Sequence, residues 1–170
     1  MPINGRLFIA RHGETVFNAA QRMQGDVPHT PLTRTGFLQA DAMGAALAEW
    51  LGTHQALELW ASPAGRALQT MAIIAGHIGG DYHQVVSDER LREIDMGVWG
   101  GQPYADLIAR HGNFIDAESG LFTQVPPEGE SYGDVAARLN DWINGMDPAP
   151  TQRLVVMHGM SSRVLRGLLL

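Results

Sequence analysis

Four short apolar runs, Leu7–Ala10, Leu57–Ala61, Gln84–Val86 and Leu154–Met157, alternate with stretches whose apolar residues return every three or four positions. The first and last runs are apolar throughout, the pattern of strands covered on both faces of a sheet. Thr35 to Leu51 carries Phe37, Leu38, Met43, Leu47 and Trp50 at roughly helical spacing, with Gly52 as its stop. Gly65 to Ile78 repeats the pattern with Leu68, Met71, Ile74 and Ile78, and a shorter helix is predicted from Pro103 to His111. Ser131-Tyr132-Gly133-Asp134 reads as a capping box, with Asp in place of the usual Glu. It opens a helix whose apolar face is Val135, Leu139, Trp142 and Ile143. Strands alternating with helices predict an α/β fold, a three-layer α/β/α sandwich around a mainly parallel central sheet. Between Gly112 and Glu130 the pattern dissolves into Gly, Pro and acidic residues, which predicts a long loop placed as a lid over a site. No repeat or linker divides the 170 residues, so a single domain is expected.

Composition narrows the function classes. Hydrophobic residues make up 45% of the chain and charged ones 18%, a globular balance. No apolar run approaches a membrane span. Met1 to Arg6 lacks a basic region followed by an apolar one, so no secretory leader and a cytoplasmic setting are expected. The absence of cysteine excludes disulfides, thiolate chemistry and Cys-zinc sites. All 12 basic residues are arginine. Without lysine there is no Walker-type phosphate loop and no Schiff base, so a phosphate must be gripped by arginine forks, histidines and backbone N–H groups. The net charge of −6, with no basic stripe, argues against nucleic acid as a partner.

The candidate chemistry lies where the strands end. Phe8-Ile9-Ala10 runs straight into Arg11-His12-Gly13-Glu14-Thr15, which aims an imidazole from a rigid strand end beside a fixed cation, with Gly13 allowing close backbone approach. In open α/β sheets ligands bind beyond the carboxyl ends of the strands. Ser62-Pro63-Ala64-Gly65-Arg66 follows the second strand and His158-Gly159 the last, so two histidines and two arginines converge on one edge. Gly159-Met160-Ser161 begins like a nucleophile elbow, but Arg163 stands where the second glycine belongs, which sets a serine hydrolase aside. There is no Asp-x-Asp or His-Glu-x-x-His cluster, so no metal is expected.

Taken together, these blocks resemble the histidine phosphatase (phosphoglycerate mutase-like) superfamily. The matching residues are Arg11-His12-Gly13-Glu14-Thr15 with Asn18, Leu32-Thr33 with Gly36 and Gln39-Ala40, Ser62-Pro63, Arg66-Ala67 and Gln69-Thr70. Leu91-Arg92-Glu93 with Gly97 and Trp99, Glu128-Gly129-Glu130-Ser131, and His158-Gly159 with Arg163 complete the series. The resemblance implies a two-step, cofactor-free phosphoryl transfer on a small phosphorylated metabolite. His12 would attack phosphorus, while Arg11, Arg66 and a protonated His158 hold the equatorial oxygens. Glu93 would protonate the leaving alkoxide and then activate water. Asn18, Gln24, Gly159 and Thr15 are the further substrate-binding candidates. Opposite protonation needs of His12 and His158 predict a bell-shaped pH profile.

Other readings stand beside this one. Glu14, Asp88 and Asp95 are rival carboxylates to Glu93, and Asn18 and Gln24 are also ordinary turn residues. His29, His54, His77, His83 and His111 match no block and are read as structural or exposed. A mutase would need extra basic residues for a second phosphate, and Leu91 to Gly101 resembles the phosphatase branch, with Gly100 where Glu is usual. A phosphatase is therefore favoured over a phosphoglycerate mutase and over a non-catalytic relative that binds phosphorylated ligands or protein partners. The resemblance also implies a further strand and helix beyond the one after His158-Gly159, whereas this sequence stops at Leu168-Leu169-Leu170.

Overall fold

In the computed structural model, residues 5–52, 57–147 and 152–170 are described. The first four residues, part of the segment read for a leader, and His54 lie outside them. Four parallel strands form one sheet: β1 (Leu7–Arg11), β2 (Glu58–Ala61), β3 (Val86–Ser87) and β4 (Arg153–Met157), in the order β1-β4-β2-β3. The helices are α1 (Val16–Ala19), α2 (Arg34–Leu51), α3 (Gly65–Ile78), α4 (Tyr104–His111), α5 (Tyr132–Asn144) and α6 (Gly159–Leu169).

Side-chain alternation along the strands splits the core into two layers. Trp60, Val155 and Met157 face α5 and α6 with Val135, Leu139, Trp142 and Leu165. Leu59, Ala61, Leu154 and Val156 face α3 with Ala67, Met71, Ile74 and Ala75. A sheet covered by helices on both faces is the expected three-layer sandwich. The predicted span of α3 and the Ser131–Asp134 capping box are both present.

Three details differ from the sequence pattern. Of the Gln84–Val86 run only Val86 pairs in the sheet: Gln84 ends a 3₁₀ turn, Tyr82–Gln84, and Val85 follows it as the cap. The β1 strand is half-buried rather than covered on both faces, because it lies at an edge of the sheet, whereas β4 is fully buried between β1 and β2. On α2, Phe37, Leu38 and Trp50 are exposed, and the buried positions include Gly36, Ala40 and Gly44. Close approach to α3 needs small residues: a Cβ on Gly44 would stand 2.6 Å from the His77 ring. Hydropathy does not weigh that requirement.

The first turn of α2 clasps the loop after β1. Thr33, its N-cap, donates its N–H to the Glu14 carbonyl and its hydroxyl to the Glu14 carboxylate at 2.6 Å, while Gln39 Oε1 accepts the Glu14 N–H. Gly13 and Gly36 touch backbone to backbone: a Cβ on Gly36 would lie 2.1 Å from the Glu14 carbonyl oxygen. That oxygen belongs to main chain and cannot swing away. Gly36→Ala is therefore expected to destabilise the protein by about 3 kcal/mol, read from the urea midpoint. A change within experimental error would refute the close contact.

Candidate active site

The loops leaving β1, β2 and β4 meet at one edge of the sheet, because β4 lies between the other two. His12 follows β1 and is buried. Its Nδ1 is 2.7 Å from the Gly13 carbonyl oxygen, an acceptor only, so Nδ1 carries the proton and Nε2 keeps its lone pair. The turn is pinned from α3 as well, since the Gly13 N–H donates to Thr70 Oγ1. Burial above all, with Arg66 and Arg11 nearby, outweighs the Gly13 hydrogen bond and pulls the His12 pKa down from 6.5 to about 3. The imidazole is neutral at ordinary pH.

His158 N-caps α6 and is wholly buried, its ring 5.1 Å from that of His12. Its Nδ1 accepts from Arg66 Nε at 3.3 Å, which leaves the Nε2 proton to be donated to Ser62 Oγ at 2.7 Å. Burial first, then the charge of Arg66, holds its pKa well below 6.5. The protonated His158 expected from the sequence is thus replaced by a neutral ring with both nitrogens engaged.

Arg66 is also fully buried. Besides His158, it donates to Val27 O at 2.5 Å, Thr30 Oγ1 at 2.9 Å and Gly25 O at 2.8 Å. Four of its five N–H groups are committed to protein. It fixes the loop after α1 and retains one N–H for any anion.

In front of these groups lies a cavity of about 130 Å³. Arg11, His12, Asn18, Gln24, Glu93 and Gly159 all line it, so six of the nine residues singled out by sequence share one pocket. Arg66, His158 and Thr15 are buried and do not line it. Thr15 N-caps α1 and forms a capping box with Asn18, whose Oδ1 accepts the Thr15 N–H at 3.1 Å. That fixes the Asn18 amide with its NH₂ group free of the box. The Thr15 hydroxyl contacts Gln24 Oε1, which sets Gln24 Nε2 at 3.4 Å from His12 Nε2. Arg11 is exposed at the rim, and its guanidinium is uncommitted among the described residues.

Glu93 is held by both oxygens. Oε1 accepts the N–H groups of Ile94 (3.0 Å) and Ser161 (2.8 Å), while Oε2 accepts only that of Met160 (3.0 Å). The Met160 and Ser161 donors are first-turn N–H groups of α6, which have no partner within the helix. The rivals are accounted for otherwise: Glu14 is bound to Thr33, Asp88 pairs with Arg90, and Asp95 Oδ1 caps the Gly97 N–H.

Sequence reasoning passed over the apolar wall of the pocket, Met23, Ile94, Met96, Tyr104, Phe122 and Met160, and left Arg163 at its rim without a role. Met23 comes from the segment after α1 and Phe122 from the Gly112–Glu130 stretch expected as a lid. That stretch is tied down at Ser119, whose carbonyl accepts from Arg163 Nη1, and at Phe122, whose N–H donates to the Tyr132 hydroxyl.

A family model described as "Histidine phosphatase superfamily (branch 1)" matches residues 7–170. The chain belongs to this superfamily. It is a histidine-phosphatase-type phosphomonoester hydrolase. It is 33% identical over 168 residues to a probable phosphoglycerate mutase GpmB of Yersinia pestis, covering 97% of this chain and 74% of that protein. Among solved structures it is similar to a mycobacterial glucosyl-3-phosphoglycerate phosphatase in complex with VO3. The TM-score is 0.79 and the identity 30%, covering 98% of this chain and 80% of that one. A putative alpha-ribazole-5'-P phosphatase of Escherichia coli gives a TM-score of 0.77 at 25% identity, covering 98% of this chain and 79% of that one. Among the described residues no helix is long and apolar enough to cross a membrane.

The two buried histidines make a direct expectation. Both pKa values are depressed, so both rings should stay neutral from pH 8 down to pH 5, His12 as the Nδ1–H tautomer and His158 as Nε2–H. Protons that the unfolded chain takes up near pH 6.5 are refused by the folded one. Stability should therefore be complete above pH 6.5 and fall below it, by up to about 1.4 kcal/mol per pH unit for each ring. Imidazole ¹⁵N shifts would report tautomer and midpoint together. A midpoint near 6.5 for either ring would contradict the burial argument.

Proposed function

We propose that this protein is a cytoplasmic, metal-independent phosphatase that passes the phosphoryl group of a small phosphorylated metabolite through His12 to water. The observation that carries this reading is the His12 ring: neutral, its Nδ1–H tied to Gly13, its Nε2 lone pair at a pocket also lined by Arg11 and Glu93. Nε2 attacks phosphorus in line. As the N–P bond forms and the P–O ester bond breaks, the ester oxygen takes a proton from Glu93. Oε2 is the oxygen for that task, since it accepts one N–H where Oε1 accepts two. Water then attacks phosphorus, gives its proton to Glu93 and releases inorganic phosphate as the N–P bond breaks.

Arg11 and the amide NH₂ groups of Asn18 and Gln24 are placed to bind the equatorial oxygens, where charge accumulates. Arg66 and His158 serve mainly by holding the loop and the His12 ring. A mutase reading draws on the relatives named phosphoglycerate mutase. Against it, among the described residues Arg11 and Arg163 are the arginines that line the pocket, a thin set for holding two phosphates. The names of the solved neighbours, both phosphatases of small phosphorylated metabolites, favour hydrolysis. The test offers phosphoglycerate and follows the products in the presence of EDTA. Release of inorganic phosphate supports the phosphatase; isomerisation without release would establish the mutase; loss of activity with EDTA would overturn the metal-free route.

A further inference from the structure

Glu93 is secured through its side chain by α6, yet its main chain sits in an irregular segment between two 3₁₀ turns, Glu89–Leu91 and Gly97–Trp99. Such a segment has no ladder of its own to fix it. Its carbonyls turn instead toward one side chain of α5. Arg138 Nη1 donates to Arg90 O at 2.6 Å and to Arg92 O at 2.9 Å, and Nη2 donates to Glu93 O at 3.1 Å. The remaining N–H groups grip Glu130: Nε to Oε1 at 2.9 Å and Nη2 to Oε2 at 3.0 Å. All five donors of the guanidinium are used. Glu130 in turn accepts the Asp95 N–H at 3.0 Å through Oε2. The pair is largely buried, with side-chain exposures of 12% and 18%.

The geometry points to Arg138 as a positioning residue for the proton transfer by Glu93. This rests on the phosphatase reading and deepens it. Arg138 does not line the pocket. It clamps the carbonyls of residues 90, 92 and 93 and, through Glu130, the N–H of residue 95. Glu93 is thereby anchored from both ends, by α5 through its main chain and by α6 through its carboxylate. A shift of the order of an ångström at a proton donor is costly, because transfer needs hydrogen-bond reach to the leaving oxygen. Lysine cannot replace this grip, having three donors around one point where five in a planar fork are used.

A role in placing the acid differs measurably from a role in stability alone. Protonating the departing oxygen matters when the leaving group is poor and hardly matters when it is good. Phenyl phosphate and p-nitrophenyl phosphate have similar shapes and differ in that respect, and kcat/KM covers the step in which the ester bond breaks. Arg138→Lys is expected to lower kcat/KM for phenyl phosphate about tenfold or more, and that for p-nitrophenyl phosphate by less than about threefold. Glu93→Gln should show the same asymmetry, and adding Arg138→Lys to it should change the ratio no further. Arg153→Lys is the stability control. Arg153 is still more deeply buried, pairs with Glu58 at 2.7 Å, and lies at the opposite end of the sheet. It should leave the ratio of the two esters as in wild type. Equal losses on both esters, or additive effects with Glu93→Gln, would overturn the role of Arg138 while leaving the phosphatase intact. A wild type silent on both esters would overturn the phosphatase reading and this one with it.

Discussion

His12→Ala should reduce phosphate release by about 10⁴-fold or more, the largest effect of any single substitution here. No other group in the pocket can take over. The second ring, His158, has both nitrogens bonded and none of its surface exposed, and Glu93 is held back on the N-terminus of α6. The substitution should also leave the fold standing. His12 packs beside His158 but carries only its hydrogen bond to Gly13 and a long contact with Gln24. Stopped-flow quench with a labelled phosphate ester would show acid-labile phosphoenzyme in the wild type and none in the variant. Activity of His12→Ala within tenfold of wild type would sink the nucleophile assignment.

Arg66→Met should have the largest effect on stability, about 4 kcal/mol. The side chain is completely buried, and its removal strands the carbonyls of Gly25 and Val27, the Thr30 hydroxyl and His158 Nδ1. Burial pulls the guanidinium pKa down to about 10, more than the neighbouring carboxylates restore, yet the group remains charged at neutral pH. Methionine fills much of the volume and satisfies none of the acceptors. Because the same loop carries Gln24 and lines the pocket, activity should fall with stability. Equilibrium denaturation tests the first effect, and a loss below about 1 kcal/mol would show that the acceptors find other partners.

The scaffold behind the site explains residues that a sequence pattern merely brings together. Thr33, Gly36 and Gln39 hold the turn bearing His12. Thr70 binds the Gly13 N–H, and Gln69 the Leu32 N–H. Glu130 fixes Asp95, two residues past Glu93. None of these side chains lines the cavity in front of His12, and Gln39 lines a neighbouring groove. Their work is the positioning of main chain, and it leaves no trace in periodicity or charge.

By itself the sequence determined the layered α/β fold, because strand-length apolar runs and helical periodicity are local and survive being read one residue at a time. It also determined that His12, Arg66 and His158 meet, since parallel strands bring their carboxyl ends to one edge. The protonation and reach of those groups were decided by the tertiary structure alone. Burial between Arg66 and His12 made His158 neutral, and four acceptors from distant segments commit all but one of the Arg66 N–H groups to the protein. The same holds for Arg138, whose five partners come from residues 90 to 93 and 130. Long-range desolvation and hydrogen bonding set those outcomes, and both depend on neighbours that chain order does not reveal.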